Sequence, residues 1–319
     1  MTEHEAGATV SATRINDKPP RQLGDRVFAG TALAAGLTIL LALAGVFFFL
    51  ALEGAPGLSA PEAIYRPATD FWSYVGPLVF GTTLAAVIAL VLAVPFAIAI
   101  ALFISHYAPR RLATPVAYVM DLLAAVPSVV YGLWGGGVLN VAIQPALVWL
   151  YDHFSWIPFF AGPPSSTGKT ILTAGIVLAI MVLPIISALS REVFAQTPRL
   201  NEEAALALGA TRWEMIRMAV FPYGRSGMVS AVMLGLGRAL GETMAVAMVL
   251  SATPIVTLNL ISSTNPATIA SNIASNYKEA TPDKQALLIA TGLVLFAFTF
   301  AVNFAARWIA GRSDRRLNR

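Results

Sequence analysis

The sequence has no cysteine, only three histidines and few charged side chains. Without cysteine, disulfides and thiolate metal sites are excluded. His4, His106 and His153 lie far apart, and no His/Glu metal spacing or serine-nucleophile motif occurs, which disfavours a membrane-embedded enzyme. Charged residues make up 12% of the chain, hydrophobic residues 57%, and the mean hydropathy is +0.70. This composition is too apolar for one soluble core and indicates an integral membrane protein.

Six apolar runs are long enough to cross about 30 Å of hydrocarbon. They cover residues 27–52, 75–104, 115–137, 171–190, 228–250 and 286–306. Backbone polar groups must be satisfied within each run, so the sequence predicts an all-α polytopic membrane protein with six transmembrane helices. A seventh stretch, 138–151, is short and contains Asn140 and Pro145, which favours an interfacial or re-entrant helix.

Basic residues predict the orientation, because Lys and Arg are enriched in cytoplasmic loops. With six spans, 16 of them lie on the side of the two termini, four lie on the other side, and Arg238 lies within a span. Both termini are therefore predicted to be cytoplasmic, and the net charge of +4 reflects topology rather than nucleic-acid binding.

The predicted organisation follows from these spans. The segments are a cytosolic tail (1–26), the first transmembrane helix (27–52), an extracytoplasmic loop (53–74), a five-helix domain (75–307) with a cytoplasmic loop at 191–226, and a basic cytosolic tail (308–319).

The 191–226 loop contains "TPRLNEEAALALGATRWEMIRMAVFPYG". Thr197 is predicted to cap a first helix, and Gly209 suits the residue just past its end. Thr211 and Glu214 form a capping-box pattern that begins a second helix, which Pro222 is predicted to stop. The sequence therefore predicts a helix, a glycine turn and a second helix. Another protein could bind to the surface of this helix pair.

Two charges are predicted near the middle of the fifth span. Arg238 lies 13 residues beyond Arg225, about 20 Å along a helix, and Glu242 follows one turn later. Charges at this depth are costly. One interpretation is that the pair neutralises itself at a helix contact; the other is that Arg238 meets an anion on a polar path while Glu242 holds the guanidinium.

The third span offers hydroxyl groups to the same path. Ser128 and Tyr131 lie one turn apart, beside the Leu123 carbonyl that Pro127 is expected to leave unbonded. Alternatively, Ser128 only bonds back to the backbone. Asp121 is placed nearer the cytoplasmic interface than the path.

The loop motif resembles a family signature. Glu203-Ala204-Ala205, then Gly209 and finally Ala219-Val220-Phe221-Pro222 are similar to the "EAA---G---------I-LP" segment of permease subunits in bacterial ABC importers. The resemblance implies that Glu203, Ala204, Ala205 and Gly209 belong to the element that couples to the ATP-hydrolysing subunit. It also implies the type I ABC importer transmembrane fold.

Two further stretches, "PSVVYGLWG" at 127–135 and "LGLGRALGETMAV" at 234–246, resemble phosphate-specific ABC importer permeases of the PstC type. The resemblance implies a bacterial plasma-membrane complex with a PstA-type permease, two PstB-type ATPase subunits that bind ATP and Mg²⁺, and an extracytoplasmic PstS-type phosphate-binding protein. It implies that Arg238 and Glu242 are needed for transport, and that this chain binds no cofactor and no nucleic acid.

Alternatives remain open at this point. An importer of sulfate or molybdate would suit the same arginine, and an ion-coupled secondary transporter would also need buried charges, although no inverted repeat is visible. Gly168-Lys169-Thr170 ends like a nucleotide-binding loop, but Pro163 holds the place of the first glycine and no strand precedes it. Thr167 or Thr170 is instead predicted to begin the fourth span.

Overall fold

The computed structural model describes residues 23–317, with side chains from residue 24 to residue 308. The described chain is almost entirely helical, as predicted. Its α-helices are α1 Leu23–Leu58, α2 Glu62–Tyr65, α3 Phe71–Leu102, α4 Arg110–Ala125, α5 Ser128–Trp134, α6 Asn140–Ala142, α7 Gln144–Phe154, α8 Ile171–Ala195, α9 Arg199–Ala207, α10 Arg212–Met215, α11 Phe221–Gly241, α12 Met244–Val249, α13 Ile269–Asn276 and α14 Pro282–Leu317. Wide π turns lie at Phe103–Tyr107, Gly135–Leu139 and Ile216–Val220, and 3₁₀ turns at Pro158–Phe160 and Tyr277–Glu279.

The chain divides into two compact units, Met1–Phe48 and Phe49–Arg319. The described part of the first unit is the larger portion of α1, whose apolar side chains are exposed, as suits a helix that meets lipid. Most of the predicted tail 1–26 lies outside the described residues.

The core of the second unit is the packing of α3 on α8, to which α11 adds a third helix. Alanines four residues apart on α3, including Ala89, Ala93 and Ala97, are fully buried. Gly175 of α8 lies directly against Ile88. Small residues let membrane helices approach closely, and this close contact replaces the hydrophobic driving force that is absent in lipid.

Within the described residues, four helices are long and apolar enough to cross a membrane, and a bent pair counts as a fifth if it is one span. The four are α1, α3 with the π turn that follows it, α8 and α14. The pair consists of Arg110–Ala125 and Ser128–Ala142, which meet at 92°. The third predicted span, 115–137, is thus not one straight helix, because Val126 and Pro127 both adopt extended backbone. The predicted interfacial segment 138–151 is helical and ends in α7.

Two ends of the second unit can be distinguished by their residues. The basic end carries Arg110 and Arg191, and the opposite end carries the loops that precede α8 and α13. Asp121 of α4 lies 3.6 Å from the Arg191 guanidinium, so Asp121 belongs to the basic end, as predicted.

The opposite end is held together by a short parallel pair, β1 Ala252–Thr253 and β2 Asn265–Pro266. Asn265 is fully buried; its amide donates to the carbonyls of Lys169, Ser251 and Ser262, and its oxygen accepts from the Ile171 amide. One asparagine therefore joins the start of α8 to two other loop segments.

Candidate functional site

The fifth predicted span is interrupted in the middle. Helix α11 ends at Gly241, Glu242 has extended backbone with φ −69° and ψ 129°, and α12 begins at Met244. The prediction of one continuous helix over 228–250 was wrong. Glycines at 237 and 241 weaken helix in this region, and the Glu242 side chain supplies a start for a new helix.

Glu242 caps α12 and does not hold Arg238. Its Oε1 accepts a 3.1 Å hydrogen bond from the Ala245 amide, and the residue is only 8% exposed. A carboxylate at a helix N-terminus satisfies a free amide and interacts favourably with the helix dipole. Within residues 24–308, Arg238 and Glu242 form no ion pair, because the break after Gly241 removes the helical spacing that would bring them together.

Arg238 lies near the middle of the helix bundle. Gly235, one turn earlier, packs against Ile186 and Val182, which lie halfway along α8. The Nε of Arg238 is buried and has no hydrogen-bond partner among the residues that the structure describes. A guanidinium stays charged in a protein, so this Nε–H remains a donor without an acceptor among the described residues.

Tyr131 lies in the same buried cluster as Ala239 and Leu240, the two residues that follow Arg238. The Tyr131 hydroxyl donates a 2.8 Å hydrogen bond to the Leu123 carbonyl across the break between α4 and α5. That carbonyl also accepts from the Val126 amide, so it is not unbonded as expected. Ser128 begins α5 and is half-buried. The structure therefore places Tyr131 in the cluster beside Arg238, and the pathway roles of Tyr131 and Ser128 stay predictions.

The loop at the basic end folds as the helix, glycine turn and helix that the sequence predicted. Gly209 has φ +87° at the end of α9, a conformation that side chains rarely adopt. Thr211 and Glu214 form the predicted capping box, and the hydrogen bonds from the Thr211 backbone amide and hydroxyl lower the pKa of the Glu214 carboxyl.

Two details of this loop differ from the prediction. Pro198, not Thr197, precedes the first helical residue, and the buried Thr197 hydroxyl has no partner among the described residues. Pro222 does not stop the second helix, because the wide turn Ile216–Val220 bonds the Phe221 amide to the Ile216 carbonyl and lets Pro222 enter the first turn of α11.

The exposed face of α9 is the accessible surface of this loop. Glu203 and Ala204 are exposed, whereas Ala205 is buried in an apolar cluster with Phe194 and Ile216. Leu200 and Leu208 are 78% and 86% exposed. Large exposed apolar side chains beside charged ones are typical of a protein-binding surface.

The Gly-Lys-Thr stretch at the opposite end has a structural role. Gly168 has φ +71°, and a Cβ there would overlap the Asn140 carbonyl. Thr170 caps α8 by accepting from the Thr173 amide, as one of the two predicted alternatives stated.

Comparisons with known proteins agree with this arrangement. Residues 93–319 match the family described as "Binding-protein-dependent transport system inner membrane component". The chain is 48% identical over 307 residues to "Phosphate transport system permease protein PstC 2" of Mycobacterium tuberculosis, which covers 92% of this chain and 94% of the relative. It is 36% identical to the PstC of Mesorhizobium japonicum, with 92% of each chain covered.

Solved structures show the same fold at 15% identity. A bacterial ABC transporter for import of the acidic polysaccharide alginate matches with a TM-score of 0.54, over 90% of this chain and 99% of that one. The MetNI methionine ABC transporter in inward-facing conformations matches with a TM-score of 0.50, over 75% and 93%.

Proposed function

The chain belongs to the family of binding-protein-dependent transport system inner membrane components, and on this premise we propose that it is a PstC-type permease subunit of a phosphate importer. In this role it forms half of the path through a bacterial plasma membrane, with both termini in the cytoplasm. ATP is hydrolysed by a separate subunit.

The observation that carries the proposal is that Arg238 has a buried side-chain nitrogen without a hydrogen-bond partner among the described residues. This nitrogen is the Nε of a guanidinium in the middle of an apolar bundle. A charge there is costly, and a structural arginine would be paired. Phosphate oxygens match the planar fork of a guanidinium, so a passing phosphate would satisfy these donors.

The neighbouring groups have separate roles in this proposal. Tyr131 keeps the break between α4 and α5 in place through Leu123 and lies in the cluster beside Arg238. Glu242 fixes the start of α12 and so the position of the break next to Arg238. Ser128 supplies a further hydroxyl at the start of α5.

The loop at the basic end is proposed to bind the ATPase subunit. Glu203, Ala204, Ala205 and Gly209 form the turn and helix that dock, and the exposed leucines of α9 supply apolar contact area. ATP and Mg²⁺ are held by two PstB-type subunits. A PstA-type permease completes the path, and a PstS-type protein delivers phosphate at the opposite end.

The test is uptake into vesicles that carry the reconstituted complex and its binding protein. Labelled phosphate should accumulate when ATP is supplied on the side of the loop at the basic end. Equimolar sulfate or molybdate should not compete with phosphate for uptake. Vesicles with an inactive ATPase subunit are the matched control. Preferential uptake of sulfate or molybdate would replace the phosphate assignment with another oxyanion.

A further inference from the structure

A histidine joins the loop at the basic end to the helices that cross the membrane. His106 lies in the π turn Phe103–Tyr107, directly after α3, and its side chain is 9% exposed. Its Nε2 is 3.5 Å from Oε1 of Glu202 on α9, and its ring meets the edge of Phe194 on α8. In the sequence His106 lies far from Glu202, and no local pattern relates the two residues.

The acceptor-only chemistry of Glu202 fixes the polarity of this contact. A carboxylate offers no proton, so the 3.5 Å approach is attractive when Nε2 of His106 carries the proton that faces Glu202. Nδ1 lies 2.7 Å from the Ser105 hydroxyl, which also lies 2.7 Å from the Ala101 carbonyl. With a neutral ring Ser105 donates to Nδ1; with a charged ring Nδ1 donates to Ser105, which then donates to Ala101. The ring is held at both nitrogens in either state.

The other contacts of α9 with the bundle are of a different kind. Within the described residues, the His106–Glu202 contact is the one polar contact between α9 and the spanning helices, and Ala205 contributes apolar packing. Apolar packing is non-directional, whereas the attraction between a proton-bearing ring nitrogen and a carboxylate falls as the two atoms separate. The polar contact therefore ties α9 to one position at the end of α3.

The π turn explains how His106 reaches α9. A wide turn adds one residue and so rotates a side chain by about 100° relative to an uninterrupted α-helix. Such turns are frequent at functional sites. This one directs a histidine at the end of α3 toward the loop instead of continuing the helix.

We propose that His106 is a positioning residue that, through Glu202, couples the movement of α9 to the end of α3 during transport. The proposal rests on the proposed function, because it requires α9 to be displaced by an ATPase subunit. Displacement of α9 then acts on α3, and through its long packing on α8, on the core of the bundle.

The experiment uses the full complex with the variants His106→Ala, Glu202→Gln and the double variant. We expect each single variant to lower the phosphate imported per ATP hydrolysed about fivefold, in line with the loss of one partly buried polar contact. The double variant should be no worse than either single one, since both remove the same contact. His106→Gln should recover at least half of the ratio, because its amide places an N–H donor near the position of Nε2.

The control is Glu192→Gln, an exposed carboxylate on α8 at the same end, which should leave the ratio unchanged. Additive losses in the double variant, or a His106→Gln variant as impaired as His106→Ala, would overturn the coupling role. Purification of intact complex is checked for every variant. Glu202→Gln changes a partly exposed side chain and keeps its size, so it keeps the test informative if His106→Ala assembles poorly.

Hydrogen exchange of α9 in the assembled complex separates this proposal from the proposed function, because it needs no substrate. His106→Ala and Glu202→Gln should both speed exchange of the α9 amides at least threefold. Unchanged exchange in both variants would reject the link even if phosphate is transported. A wild-type complex that imports no phosphate, with exchange that responds as expected, would reject only the phosphate assignment.

Discussion

The loop at the basic end and the interrupted helix around Arg238 both contain charged side chains, but the two regions differ in whether these side chains pair with one another. At the basic end Glu202 faces His106, Asp121 faces Arg191, and Glu214 bonds to Thr211. In the middle of the bundle the Glu242 carboxylate accepts a hydrogen bond from the Ala245 amide in the first turn of α12. The Nε of Arg238 has no hydrogen-bond partner within the described residues.

In the proposed function, this difference separates charges that build structure from a charge that is kept for a ligand. Charged side chains at the exposed basic end cost little free energy, because solvent screens each charge whether or not it is paired. An unpaired guanidinium is expensive in an apolar bundle, so its presence without a carboxylate is the stronger sign of function. The predictions below test this separation, from the largest expected effect to the smallest.

Arg238→Gln should have the largest effect on transport. We expect phosphate uptake to fall by about 100-fold or more, because the charged donors to the anion are lost, while the complex still assembles. Uptake in reconstituted vesicles measures the change. Arg238→Lys is the matched control and should retain part of the activity, since it keeps the charge without the fork. Normal uptake by Arg238→Gln would place Arg238 among the structural charges.

Gly209→Pro should uncouple ATP hydrolysis from uptake nearly as severely. Proline requires φ near −65°, which is incompatible with the φ of +87° at this turn. Gly209→Asn is the control, because asparagine tolerates positive φ. Glu203→Lys, which reverses a charge on the exposed face of α9, should also uncouple. Co-purification of the ATPase subunit and ATP-driven uptake are the measurements, and full retention of both would contradict the docking role.

Much of this architecture was predictable because its causes are local. Long apolar runs located the spans, and Gly209 with Thr211 and Glu214 defined the turn of the loop within a few residues. The break at Glu242 was not predicted, because glycine is also common in continuous membrane helices and a glutamate one turn after an arginine suggests an ion pair. The 92° bend between α4 and α5 was not predicted either, because its angle depends on what packs around Pro127.

Glu242→Gln should have an intermediate effect. Glutamine keeps an oxygen that can accept from the Ala245 amide but loses the charge that favours a helix N-terminus, so we expect a stability loss below about 1 kcal/mol. Glu242→Ala removes the cap and should cost about 1–2 kcal/mol. Thermal unfolding of the complex distinguishes the two. Equal losses in both variants would show that the charge, and not the hydrogen bond, holds α12.

Asp121→Asn should have the smallest effect. Its contact with Arg191 is partly exposed, so we expect a change below about 1 kcal/mol that disappears at high salt. Unfolding at low and high ionic strength measures it, with Arg191→Gln as the partner variant. A large loss that persists in high salt would mean that pairing at the basic end carries more of the fold than its exposure implies.

Asn265 has a consequence for the order in which the molecule is made. The first amide of α8, that of Ile171, finds its side-chain acceptor 94 residues later in the chain. Helix α8 can enter the membrane as soon as it is synthesised, but its N-terminal end gains this partner only after the ribosome has produced Asn265. We therefore expect chains truncated before residue 265 to insert α8 and yet leave its first turn accessible to protease. In the complete chain this turn should be protected from cleavage.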